Sequence, residues 1–459
     1  MDARIGQVQV AGAGAGKTYE MSNRIISRYR NLNDHKKVYC ITFTNSSKQS
    51  ITEKIKEHLG IVPDNIVIST IHSFLLNEVI YPFSSLILDL KVNKAISSPL
   101  PAKPQYKNYQ MKRLNESGYI HNDQVFQKAK CIISKKGKKK TFQIKIDLVL
   151  QHIKDSIDSI FIDEAQDMDA NGFELIDILS SSGIYVYMVG DPKQALMYPK
   201  AFSSFISSIE NGKKENFELT DFLTHSWRVP EEHLQISNKF CPIEQEQTSR
   251  STNAGELKYI FVDSEGFDEE FHKWKVEGAY IYIDKKNAIF DTHINKKEYF
   301  MPESVKDILR NKSEINKKYF DIWIESLIDE FVLELEKKSL PTVVREFLKK
   351  YTIEYDKKIY AELCSSFSKL ETNNNRYTVM SIHKVKGLEA EKCIFVVDNN
   401  MASYLFGKKN EFNREMNKLY VALTRSRREL IFAVDIKSIS SVTKEEALKW
   451  FSENDVTGY

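Results

Sequence analysis

Three glycines, a lysine and a threonine stand between an apolar run and a helical pattern in VQVAGAGAGKTYEMSNRI, residues 8–25. Val8-Gln9-Val10 reads as the end of a buried strand, and Glu20 to Ile26 opens a helix. Between them Gly12, Gly14 and Gly16 lack a Cβ, so successive backbone N–H groups can curl around an anion. The helix N-terminus adds partial positive charge. Ala11, Gly12, Ala13, Gly14, Ala15 and Gly16 would thus hold phosphate oxygens. Lys17 is placed to reach the β- and γ-phosphates, and the Thr18 hydroxyl to ligate Mg²⁺. The general pattern has Gly in first place, where this chain has Ala11. A Gly-rich turn with a chance lysine is the alternative; the strand before and the helix after speak against it.

A second chemical stretch is SIFIDEAQD, residues 159–167. It is a buried strand that ends in two acids. Asp163 at the strand end would bind Mg²⁺, directly or through water. Glu164 would orient and deprotonate an attacking water. Gln166 and Asp167 continue the set. Strand ends often carry acids, so this box gains its meaning from the phosphate loop upstream.

The elements that must position these residues are short apolar runs with helical stretches between them. VYCITFT (38–44), IVISTIH (66–72), SIFIDE and YVYMVGD (185–191) form one series. LKYIFVD (257–263), AYIYID (279–284), YTVMSIH (377–383), KCIFVVD (392–398) and LIFAVD (430–435) form another. Such alternation predicts an α/β protein with parallel sheets, with ligands at the carboxyl ends of the strands. Two cores are expected, joined near 210–225. The first would comprise 1–77 and 151–215, the second 216–299 and 370–459. Two small, mostly helical insertions would lie at 78–150 and 300–369.

The chain has 459 residues, 42% hydrophobic and 28% charged, which suits a soluble protein with sizeable cores. No apolar run approaches the length of about 18 residues that a membrane span needs. The strand near the N-terminus leaves no room for a secretory signal. Five scattered cysteines without a C-x-x-C pair argue against zinc or a disulfide framework. A cytoplasmic protein without a membrane partner is the expectation. Net charge is only +3, but residues 91–150 hold 14 Lys or Arg against three acids. Lys135, Lys136, Lys138, Lys139 and Lys140 are the densest part. A field of that size favours a polyanion such as nucleic acid, with a merely solvated loop as the alternative.

The order of the motifs resembles that of the UvrD/Rep-type superfamily-one DNA helicases, which have two RecA-like P-loop NTPase cores with ATP bound between them. The resemblance covers both cores in eight ordered motifs. AGAGAGKT is similar to the family's phosphate loop. TFTNSSKQSITEKI, with Thr42, Thr44 and Asn45, resembles its first DNA-contacting motif, and STIHSF, with Thr70 and His72, the next. IDEAQD matches the acidic box. VGDPKQALMYPKA implies that Gln194 senses the γ-phosphate. LTHSWRVPEEH implies that Arg228 reaches the γ-phosphate from the second core. TVMSIHKVKGLEAEKCIFV implies His383 at DNA, with Gly387 and Glu389 at the nucleotide. LYVALTRSRREL implies Arg425 as an arginine finger. The catalytic set would be Lys17, Asp163, Glu164, Gln194, Arg228 and Arg425, and the metal set Thr18 and Asp163.

Three departures qualify what the resemblance implies. The upstream Gln that reads adenine in the family has no counterpart here, which leaves ATP or another NTP as the substrate. Where the family has base-stacking aromatics, this chain has Met197, Tyr198, Pro199 and Lys200, so Tyr198 would stack a base if the loop shifts by one residue. Only 149 residues separate Arg228 from Thr378, far fewer than in full-length repair helicases. This compact layout resembles the helicase-like subunit of Gabija anti-phage systems, which works beside an OLD-type nuclease/ATPase subunit. The leading expectation is a DNA-dependent NTPase that moves 3′→5′ on single-stranded DNA or acts at DNA ends, in defence or repair. An end-sensing subunit that regulates a nuclease and a nucleotide-gated scaffold are the alternatives.

Overall fold

The computed structural model describes residues 6–32, 35–43, 45–97, 100, 103–292, 300–312, 320–335, 338–367 and 377–459. The chain divides into two compact units, one of Met1–Lys91, Asp123–Phe290 and Val379–Tyr459, the other of Val92–Asn122 and Asp291–Thr378.

The first unit holds two RecA-like α/β layers. In the first layer the strands are β1 (Gly6–Val10), β2 (Lys37–Thr42), β3 (Ile66–Thr70), β4 (Ile157–Ile162), β5 (Tyr185–Gly190) and β6 (Phe217–Leu219). Their order is β3-β2-β4-β5-β1-β6, and every pairing is parallel. Strands β2, β3, β4 and β5 are rich in Val, Ile, Tyr and Phe, as expected when both faces of a parallel sheet are covered. Val38, Cys40, Phe161, Tyr187 and Val189 bury one face against the helices Lys17–Arg30 and Asn45–Leu59. The register aligns the carboxyl ends. Val10 lies opposite Gly190, Thr42 opposite Thr70, and Ile41 opposite Ile162. Every motif that follows a strand therefore emerges at one edge of the sheet. Because β6 pairs with β1, the first layer runs past residue 215, where the sequence reading ends it.

The second layer contains β7 (Glu256–Phe261), β8 (Tyr280–Ile283), β9 (Tyr377–Ser381), β10 (Ala390–Val397), β11 (Ser426–Val434) and β12 (Thr457–Gly458). They run in the order β9-β8-β10-β11-β7-β12, again in parallel pairs. Phe395 lies opposite Phe432 in a core with Tyr282, Leu419 and Phe451. The helix Glu231–Ser237 packs on β7 and on the helix Arg414–Leu423, which joins residues 225–250 to this layer.

The basic region read as one insertion, 78–150, is divided in the structure. Residues 92–122 belong to the second unit, as a helix Pro104–Glu116 beside a short parallel strand pair. The helix Val125–Ile133 instead buries Val125, Ala129, Ile132 and Ile133 against the first layer. An apolar stripe on one helix decides this, and the surrounding lysines mask it in the sequence. Among the described residues the remainder of the second unit is mostly helical: Glu303–Lys312, Phe320–Leu335, Leu340–Lys350 and Lys357–Phe367 close around Val305, Phe331, Val344, Phe347 and Phe367.

Candidate active site

The loop after β1 has the geometry of an anion holder. Gly14 and Gly16 have φ of 69° and 81°, left-handed values that glycine takes at little cost. Gly16 is the N-cap of the helix Lys17–Arg30 and no side chain caps it, so the first-turn N–H groups are left for a ligand. Lys17 Nζ lies back over the loop, 3.5 Å from the Ala11 carbonyl and 3.4 Å from that of Gly12.

The acids follow β4. Asp163 is buried, and its Oδ1 accepts from the Glu164 N–H at 2.9 Å. Its Oδ2 is buried with no hydrogen-bond partner among the described residues. Burial and the Glu164 charge push the Asp163 carboxyl up to about 7, against the pull of Lys17. A buried carboxylate oxygen with an open side suits a divalent cation, and Asp163 with the Thr18 hydroxyl would hold Mg²⁺ here. That ion would neutralise charge on phosphate oxygens. Glu164 has φ 52°, a strained value for a residue with a side chain. Burial alone would raise its pKa, but the charges of Lys17 and Lys386 outweigh it and hold the carboxyl below its ordinary value. Glu164 is therefore an anion at neutral pH, the state a general base requires. Gln166 donates to it, and accepts from the Asp191 N–H at 3.0 Å.

The second layer faces these groups with arginines. A cleft of about 680 Å³ is lined by Gly14, Ala15, Gly16, Lys17, Thr18 and Glu164, and across from them by Arg228, Gly387, Glu389 and Arg425. Gln194 lines it too, between Asp191, to which it donates at 2.8 Å, and Arg425, which donates to it at 3.3 Å. Arg425 is buried and also donates to the carbonyls of Val421 and Leu388, so its guanidinium is held in one orientation. Arg228 and Arg427 both pair with Glu389. Burial and the neighbouring Arg425 charge pull the Arg228 pKa down. The Arg425 and Arg427 charges both oppose that of Arg228, with Glu389 as the counter-charge, and an anion of high charge would relieve that repulsion. Asp167 pairs with Lys386, a further tie between the layers.

The cleft thus brings together Lys17, Thr18, Glu164, Gln194, Arg228, Gly387, Glu389 and Arg425, with Asp163 buried beneath. Ala11, Gly12 and Ala13 form the entry to the loop, behind its lining. Sequence reasoning missed Arg427, Tyr19 and Trp227, which also line it. Trp227 adjoins Arg228 in sequence, is 62% exposed and carries Arg250 over its ring at 5.6 Å. An aromatic next to the arginine expected to reach the γ-phosphate was the available signal.

The residues read as DNA contacts are spread along the same sheet edges. Thr42 ends β2 and is buried. Thr70 ends β3 and caps the next helix turn, accepting from the Ser73 N–H at 3.2 Å. His72 is half-buried, its ring edge-on to Phe126, and burial lowers its pKa. Thr44 lies outside the described residues; Asn45 begins the helix Asn45–Leu59. His383 is exposed beside Arg414, 3.5 Å away. Tyr198, with Met197 and Phe412, opens onto a groove of about 880 Å³ that Lys193, Lys200 and Arg414 also line. Lys136, Lys139 and Lys140 are exposed around the turn at Gly137, Lys138 is half-buried, and Lys135 pairs with Asp147.

Two parallel layers, with a phosphate loop and an acid box on one and arginines on the other, form the site of an NTPase enzyme that resembles the superfamily-one, UvrD-like helicases. Residues 6–199 match an AAA domain family model, and residues 304–434 match the viral superfamily 1 RNA helicase core domain. Over 94% of its length the chain is similar to the Gabija protein GajB of Bacillus cereus (strain VD045), at 22% identity and across 93% of that protein. Among the described residues no helix is long and apolar enough to cross a membrane.

Proposed function

We propose that the protein is a DNA-dependent ATPase. Hydrolysis between its two cores drives binding to, or 3′→5′ movement along, single-stranded DNA or DNA ends. The observation that carries this is the cleft whose lysine and acids come from one layer and whose arginines come from the other. A triphosphate that touches both would draw them together, and hydrolysis would release them. Asp163 and Thr18 would hold Mg²⁺, Glu164 would take the proton of the attacking water, Gln194 would sense the γ-phosphate, and Arg228 and Arg425 would stabilise the transition state. The similarity to GajB supports a role in Gabija-type anti-phage defence; a cytoplasmic location and a nuclease/ATPase subunit beside it are part of the same proposal.

A second reading, an end-sensing subunit that regulates such a nuclease without unwinding, is favoured by Met197, which offers no ring where a base would stack. Hydrolysis measured with single strands, blunt ends and closed circles, with Glu164→Gln as control, separates the two. Stimulation by any free strand together with unwinding of a tailed duplex supports the motor. Stimulation by ends alone, without unwinding, supports the sensor. DNA-independent turnover defeats both.

The basic turn yields a separate expectation. Replacing Lys135, Lys136, Lys138, Lys139 and Lys140 by Gln weakens DNA binding. Each lost phosphate contact lowers the salt slope by about 0.7 on single strands. Lys135, already paired with Asp147, should count least. Affinity measured against salt concentration checks this, and an unchanged slope leaves the turn a solvated surface.

A further inference from the structure

The phosphate loop is held from behind. The Ala13 N–H donates to Gln247 Oε1 at 3.0 Å and to the Tyr420 hydroxyl at 3.2 Å. Gln247 Nε2 donates back to the Ala13 carbonyl at 3.1 Å, so one side-chain amide meets both polar groups of the residue, as a neighbouring strand would. The Tyr420 hydroxyl donates to Gln247 Oε1 at 2.6 Å. Two bonds to Asn238, at 3.0 and 2.8 Å, pin the Gln247 backbone. Gln247 and Tyr420 are both buried, and Ala13, Val229, Leu234 and Tyr420 form an apolar cluster around the contact. Bonds shielded in this way are stronger than exposed ones.

Gly12 supplies an independent observation. Unlike Gly14 and Gly16, it is not in the left-handed region, so its backbone would tolerate a side chain. A Cβ there would stand 2.1 Å from Gln247 Cδ. The glycine is needed because Gln247 comes so close. The cleft lining begins at Gly14, one residue beyond the contact.

We propose that Gln247, backed by Tyr420, is a positioning residue for nucleotide binding. It fixes the Ala13 peptide so that the loop is set for a triphosphate, and it makes nucleotide affinity depend on the second core. The proposal rests on the NTPase reading and concerns binding rather than the hydrolytic step.

Steady-state hydrolysis of ATP by the full chain, with saturating single-stranded DNA present, tests it. Gln247→Ala should raise KM about tenfold while kcat stays within about twofold. Tyr420→Phe, which keeps both bonds between Gln247 and Ala13, should raise KM by less. Gly12→Ala should raise KM as Gln247→Ala does. The double variant Gly12→Ala/Gln247→Ala should be no worse than Gln247→Ala alone, because the side chain that clashed is gone. An unchanged KM in Gln247→Ala overturns the proposal. So does a fall in kcat at constant KM, or a Gly12→Ala defect that persists in full in the double variant. If Gln247→Ala does not fold, Gly12→Ala and Tyr420→Phe decide by the same split, and two unchanged KM values overturn it. Failure of the wild-type chain to hydrolyse ATP or any other NTP with DNA present would instead sink the NTPase reading itself.

Discussion

Glu164→Gln should abolish turnover while nucleotide stays bound. The expected loss in kcat is about 10²–10⁴-fold, the usual contribution of a positioned general base. The replacement has the same shape and keeps an oxygen toward Gln166, so the strained backbone at φ 52° has no new reason to move. What disappears is the charge that Lys17 and Lys386 hold in its ionised form. Without it, nothing at this position accepts the proton of the attacking water. Binding should hold or tighten, since the loop, Lys17 and the facing arginines are untouched. Single-turnover hydrolysis and equilibrium nucleotide binding on the same preparation check the two halves. Residual turnover near the wild-type rate would assign the base elsewhere.

Arg425→Ala should lower kcat by about 10³–10⁵-fold, the range found for arginines that act on a developing phosphoryl charge. Its guanidinium is buried and aimed by the carbonyls of Val421 and Leu388 and by Gln194, so its orientation is set before the ligand arrives. Preorganisation of this kind acts on the transition state more than on the ground state, so KM should change far less than kcat. A buried arginine cannot be removed without some cost in stability, and Arg425→Lys is the companion variant. It keeps the charge but loses the planar fork, and should recover only part of the rate. Melting temperatures of both variants separate catalysis from folding. Equal losses in rate and in thermal midpoint would make Arg425 a structural residue.

Much of the cleft's lining was legible because its parts lie next to their own strands. The glycines, Lys17 and Thr18 follow β1 directly, and Asp163 and Glu164 follow β4. Register then carries such residues to one edge of the sheet. Trp227 and Arg427 were harder to read: a tryptophan or a third arginine has many ordinary uses, and only its neighbours in space select one. Gly12 was legible as a glycine, but for a different reason. The sequence suggested room for phosphate, whereas the structure puts the Gln247 side chain against it.

The α/β class, the two series of strands and the acids and glycines at their ends can be read from the residues in order along the chain. Those features depend on local patterning, and a strand carries its own terminal residues with it. Which charges share the cleft, how the basic region is divided, and that Gln247 meets Ala13 across 234 positions of chain emerge from the packing in three dimensions. Contacts of that separation arise from how the layers pack, and no local pattern in either segment encodes its partner.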